Sequence, residues 1–106
     1  MKSLTKDTFD EVIQNNPLVV IDFWSEHCQP CKAFAKICAQ IAPDYADVVF
    51  ASVDIEAQSA LAQEFEVMAV PFVLIIRDQV IVFAESGLLS RGTLVDLLDQ
   101  ARKVDV

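Results

Sequence analysis

Residues 18 to 34 read LVVIDFWSEHCQPCKAF, and the fold turns on how that stretch divides. Leu18 to Trp24 is an aliphatic and aromatic run with one acid, Asp22, inside it. A continuous apolar run of this kind predicts a central strand covered on both faces. From Pro30 onward the period changes. Phe34, Ile37, Cys38, Ile41 and Tyr45 recur at spacings of three and four, which predicts a helix from Pro30 to Tyr45 with one apolar stripe. Between strand and helix stand Cys28 and Cys31, two residues apart.

Cys28 thus falls just past the end of a central strand, and Cys31 in the first turn of the next helix. Open α/β folds build their sites at that end of the strands. A helix start presents unpaired N–H groups and the positive end of the helix dipole. Both favour the thiolate, the reactive form of cysteine. Pro30 suits the first helical position, where its missing N–H does no harm, and it stiffens the turn that must hold two sulfurs within bonding distance. Disulfide exchange needs an exposed sulfur of low pKa to attack and a second one nearby to resolve the mixed disulfide. Half a zinc site is the competing interpretation, with a coincidental pair behind it. Zinc wants four ligands, and beyond the pair only Cys38 and His27 are on offer. Cys38 lies on the apolar stripe, as a buried core thiol would, so no metal site is expected.

Working outward, Thr5 precedes Phe9, Val12 and Ile13 at helical spacing, and Asn15-Asn16-Pro17 stops that short helix. A brief first strand fits at Lys2 to Leu4. Downstream come a buried strand at Val48–Val53 and a short helix at Ser59–Phe65. Phe72–Ile76 and Val80–Ala84 form a hairpin about Arg77-Asp78-Gln79. A last helix opens at Ser90, with Leu94, Leu97, Leu98 and Ala101 inward. Strands alternating with helices predict a parallel core, and the hairpin adds an antiparallel pair. The expected fold is α/β: a three-layer sandwich with a mixed central sheet of four to five strands flanked by four helices, in a single domain over residues 1–106.

Composition narrows the function classes. With 54% hydrophobic residues the chain can bury a substantial core, which excludes a disordered segment. A formal charge of -8 excludes nucleic acid and anionic membranes as partners, since both call for basic patches. The longest apolar run, VPFVLII at 70–76, is far short of a membrane span. MKSLTKDTFDEVIQ at the start lacks the apolar core of a secretory signal, and three cysteines do not suit a disulfide-stapled secreted domain. A cytoplasmic protein is expected.

Taken together, the chain resembles the thioredoxin family from about Leu4 onward. VVIDFW at 19–24 and HCQPCK at 27–32 are similar to the family's central strand and its WCGPCK motif. Ala69-Val70-Pro71 resembles its cis-proline loop, and Gly87-Leu88-Leu89-Ser90 the glycine loop before its last helix. The resemblance implies a thiol–disulfide oxidoreductase that reduces protein disulfides and serves cell redox homeostasis. It also implies no bound cofactor, electrons from a separate thioredoxin reductase or similar donor, and a monomer. In that family's terms Cys28 is the nucleophile, Cys31 the resolving thiol and Asp22 the buried acid beneath them. A carboxylate among Val20, Ile21 and Phe23 is costly to ionise, so its pKa should rise and let it accept the Cys31 proton through a water. Pro71, cis, would lie against the sulfurs, and the Val70 backbone would pair with a substrate strand. Trp24, Ala69, Gly87 and Leu88 would form a shallow apolar rim suited to flexible protein segments.

Several residues depart from the family's pattern. His27 replaces a second tryptophan and adds a group that titrates near neutral pH beside the nucleophile. Gln29 replaces the glycine between the cysteines, which together with Pro30 is a lever on redox poise. Ser52 stands where a lysine often neighbours the buried acid, so Asp22 should stay neutral to higher pH. Lys36 replaces the proline that usually kinks the helix, and the hairpin turn lacks its usual glycine. Two other functions compete with the reductase: a more oxidising exchanger or isomerase, and a non-catalytic module that binds partners at Pro71 and Leu88.

Overall fold

The structure is a computed structural model, and it describes residues 1–104. Positions 105 and 106, the last two of the expected domain, lie outside the described residues. In chain order the elements are β1 (Lys2–Ser3), α1 (Lys6–Asn15), β2 (Leu18–Trp24), α2 (Gln29–Ile41), β3 (Val49–Asp54), α3 (Ser59–Glu64), β4 (Phe72–Arg77), β5 (Val80–Ser86) and α4 (Arg91–Lys103). The strands make one sheet in the order β1-β3-β2-β4-β5, which puts β2 at its centre. The β1–β3 and β3–β2 pairs are parallel, while β2–β4 and β4–β5 are antiparallel. This is the mixed five-stranded sheet with four helices that the alternation predicts.

Alternating β2 side chains feed two cores, which is why the strand has no polar face. Val19, Ile21 and Phe23 pack with Phe9 and Val12 of α1 and Leu61 of α3. Leu18 and Val20 pack with Phe34, Cys38 and Ile41 of α2 and with Leu94 and Leu98 of α4. Helices therefore cover both faces, giving three layers.

Most boundaries fall within one residue of the expected ones, and two differ by more, for physical reasons. The helix expected to reach Tyr45 ends at Ile41 and passes into a 3-10 turn over Ala42–Asp44, because Pro43 has no N–H to continue the ladder. Tyr45 is nonetheless buried. β5 runs to Ser86 rather than Ala84, since ladder pairing carries it past the apolar residues: Phe72 lies opposite Ser86 and Val73 opposite Glu85. Within this pair the register slips. Ile75 faces Phe83 and Ile76 faces Ile81, so Val82 has no partner. That bulge swaps faces, leaving Phe83 against the α2–α4 core and Ile81 beside Phe9, Ile13 and Phe65 on the other side.

The hairpin turn closes without glycine. Asp78 and Gln79 both hold positive φ, at 47° and 69°, a conformation that costs an L residue about 1–2 kcal/mol. Gln79→Gly is accordingly expected to raise stability by about 1 kcal/mol, read as a higher urea midpoint with an unchanged slope. Among the described residues no helix is long and apolar enough to cross a membrane.

Candidate active site

β2 ends at Trp24, a turn follows at Glu26 and His27, and α2 begins at Gln29 with Cys28 as its N-cap. Cys28 and Cys31 are joined as a disulfide, their Cα atoms 5.2 Å apart, within the usual span for such a bond. The Cys31 backbone N–H donates to Cys28 Sγ at 3.1 Å. The first sulfur therefore meets both a direct donor and the positive end of the α2 dipole, which stabilises a thiolate there once the bond is reduced. Cys28 is half-buried and Cys31 is buried, so the outer sulfur is the one a substrate can reach. Pro30 sits at the second helical residue rather than the first. Its missing N–H is still one of those that lack a partner inside the helix.

Asp22 shares the β2 face of Val20, beneath this pair. It is 1% exposed, and its Oδ1 has no hydrogen-bond partner. Burial pushes its pKa up to about 7. Across the sheet it faces Ser52 on β3 and Val73 on β4, neither of them a cation. A cavity of about 250 Å³ opens over it, lined by Asp22, Cys31, Ser52, Trp24, Ala35 and Met1, with Ser25, Glu26 and Lys32 completing the wall. Cys38 lies deeper in the core. Burial, with the Asp22 charge added, pushes its thiol up to about 12, so it is held as a neutral core group. No group of three potential metal ligands occurs among the described residues.

The same end of the sheet carries the second loop. Because β4 runs antiparallel beside β2 with Phe72 opposite Phe23, Val70 and Pro71 arrive next to the β2 terminus. The Val70–Pro71 peptide is cis. Gly87 N–H donates to the Pro71 carbonyl at 2.8 Å, tying the third loop to the second. Gly87 has φ of 114°, which only glycine adopts without strain. Ala69 and Leu88 are exposed, Val70 is half-buried and Pro71 is buried. His27 and Gln29 are exposed beside Cys28.

Trp24, the last residue of β2 and in register with Asp54 of β3, forms a wall of the cavity over Asp22. Sequence reasoning passed over Met68, which is 92% exposed beside Ala69. Its signal was a large apolar residue in a loop with no strand or helix period to bury it. Met1 and Ala35 were also missed as cavity walls. Their meeting depends on β1 pairing with β3 alongside α2, which no local pattern announces.

Comparison with known proteins bears on this arrangement. A family model described as Thioredoxin matches residues 1–100. A putative thioredoxin 2 from Streptomyces coelicolor is 46% identical over 103 residues, which cover 97% of this chain and 77% of that protein. A thioredoxin from Mycoplasmoides gallisepticum is 30% identical over 99 residues, covering 92% of this chain and 99% of its own length. Among solved structures, a thioredoxin from Plasmodium falciparum superposes with a TM-score of 0.85 at 27% identity, covering 94% of this chain and 98% of that one. A mutant thioredoxin from Halobacterium salinarum shares the fold with a TM-score of 0.89, at 24% identity and over 99% of this chain and 93% of that one.

Proposed function

Because the chain belongs to the thioredoxin family and carries a CxxC pair fit for thiol–disulfide exchange, we propose that it reduces disulfides in protein substrates. One observation carries this proposal. The Cys28 sulfur sits at a helix N-terminus, accepts the Cys31 N–H and is bonded to Cys31, with an unpartnered acid below.

In the reduced protein the Cys28 thiolate attacks one sulfur of the substrate disulfide. A Cys28–substrate bond forms, the substrate S–S bond breaks, and the departing thiolate takes a proton. Cys31 then gives its proton to the Asp22 carboxylate through water and attacks Cys28 Sγ. The Cys28–substrate bond breaks, and the second substrate thiolate leaves and takes up the proton that Asp22 returns through water. The substrate gains two electrons and two protons, and the Cys28–Cys31 bond is left behind. A separate reductase of the thioredoxin reductase kind returns the electrons, so no cofactor need be bound. The exposed Ala69, Gly87 and Leu88 suit an extended, apolar protein segment, with the Val70 backbone as its hydrogen-bonding edge. Trp24, His27, Gln29 and Pro30 adjust docking and redox poise. The working unit is one thioredoxin-like domain, a monomer acting in the cytoplasm in cell redox homeostasis.

The test is the redox equilibrium of the pair against glutathione, followed by Trp24 fluorescence and by mass. A midpoint near about -270 mV, the reducing end of the family's scale, is expected. A value above about -200 mV would overturn reduction and favour an oxidising exchanger or isomerase.

A further inference from the structure

Helix α3 ends on a carboxylate where glycine fits better. Val67 N–H donates to the Ala62 carbonyl at 2.9 Å and Glu66 N–H to the Gln63 carbonyl at 3.1 Å, the paired bonds of a Schellman helix end. That motif calls for a left-handed residue, and Glu66 supplies it with φ of 52°. Glycine takes this conformation freely, whereas a residue with a side chain is strained there. A carboxylate is thus kept where the backbone disfavours it, and strain of this kind gathers at sites of recognition.

Glu66 borders an open, mostly apolar depression of about 310 Å³, lined also by Ala62, Gln63, Val67 and Met68. Ala62 and Val67 are half-buried, while Met68 is 92% exposed. Met68 stands three residues before Pro71, at most about 11 Å along the chain, so the depression continues the rim formed by Ala69 and Val70. Glu66 is the one ionisable group in its lining, and no salt bridge among the described residues engages it. The chain's cations are placed elsewhere. Lys6 borders a separate depression with Asp10 and Glu64, and Lys32 borders the cavity over Asp22. Arg77 and Arg102 are paired with Asp78 and Asp47.

These features narrow the occupant. An acidic side chain would meet Glu66 on a protein of formal charge -8. A short polar one would leave the apolar lining uncovered. Lysine and arginine satisfy both demands, because each lays an apolar stem on a surface and keeps its charged head at the water.

We propose that this depression seats a lysine or arginine of a partner polypeptide, its stem on Met68 and Val67 and its cation at Glu66. That the polypeptide is a disulfide substrate rests on the proposed function. An extended chain paired at the Val70 backbone advances about 3.3 Å per residue, so the basic residue lies within about three positions of the attacked cysteine. Glu66 and Met68 thereby select disulfides that have a basic neighbour, and they do so by docking alone.

The seat is tested without turnover, in the Cys31→Ser protein carrying glutathione on Cys28. A peptide thiolate attacks Cys28 Sγ, the Cys28–peptide bond forms, and glutathione leaves as its thiolate. The equilibrium constant of that exchange, read by mass, reports the peptide's contacts. The peptides are alanine-based, with a central cysteine and one lysine, norleucine or glutamate within three positions to either side. At one position or more, lysine is expected to exceed norleucine by about fivefold, with glutamate below both. Glu66→Gln should erase the lysine advantage, whereas Glu11→Gln, which removes the same charge from an exposed site on α1, should keep it. Equal loss in both would overturn the site and leave only attraction to net charge. Lysine equal to norleucine at every position would overturn it too. Met68→Ser should weaken lysine and norleucine together by about threefold, and no change would sink the apolar half of the seat. Glu66→Gly should lose the lysine advantage while unfolding at a higher urea concentration, so that the loss does not come from a damaged fold; a lower concentration would overturn the strain at Glu66. Failure of the reductase itself shows in the midpoint of the Cys28–Cys31 pair and leaves this exchange untouched.

Discussion

Cys28→Ser is expected to abolish disulfide reduction, lowering turnover of a protein disulfide by at least about a thousandfold, the scale seen when a covalent nucleophile is removed. Fold and stability of the reduced form should change little, since the side chain is half-exposed at a helix N-cap and serine caps well. Cys31→Ser has a different outcome. It keeps the attacking sulfur and the helix start but removes the group that resolves, so substrates should accumulate as mixed disulfides on Cys28. Those adducts are read by mass and vanish on addition of dithiothreitol. A non-catalytic binding module would behave otherwise: its partners would survive the reductant, and Cys28→Ser would leave their capture intact.

Asp22→Asn is expected to stabilise the protein by about 4 kcal/mol at pH 8 and by almost nothing at pH 4. Burial holds the folded carboxyl protonated to about pH 7, while the unfolded chain releases that proton near pH 4. Below about pH 4 both states keep the proton and the acid has no linked effect. Between about pH 4 and 7 only the unfolded state ionises, so stability falls as pH rises. Above about pH 7 both are ionised, and the native state carries the full penalty. Two values about three pH units apart, at about 1.4 kcal/mol for each, set its size. Asparagine has nearly the same shape and cannot ionise. Urea unfolding at the two pH values decides the matter, and a stability difference independent of pH would overturn it. The same variant should slow the release of substrate from Cys28, because the proton acceptor is gone. That a destabilising acid sits under the sulfurs is what a site, rather than a core, would retain.

Much of this was legible along the chain, and the reasons differ by residue. β2 was readable to the residue because Pro17 and Ser25 bound its apolar run. The disulfide pair was readable because its spacing, the strand before it and Pro30 after it all point one way. The end of α2 was misjudged because the apolar stripe continues to Tyr45 although Pro43 stops the hydrogen bonds. The last residues of β5, Glu85 and Ser86, have no strand-like character, and only their pairing with β4 makes them strand. The cavity was invisible for a deeper reason. Its walls come from residues as distant as Met1, Ala35 and Ser52, and a void is defined by what several elements fail to fill.

The unpaired Val82 bears on what the protein does not do. β5 is the longer of the sheet's two edge strands, and Val80 and Ile81 there are each 47% exposed. A flat, uncharged row of that kind would template strand after strand from neighbouring molecules. A bulge raises the local twist and breaks the regular spacing of the row, which disfavours growth along that edge. A protein proposed to act on extended chains is thereby left with an irregular edge, which is poorer at adding strands than a straight one.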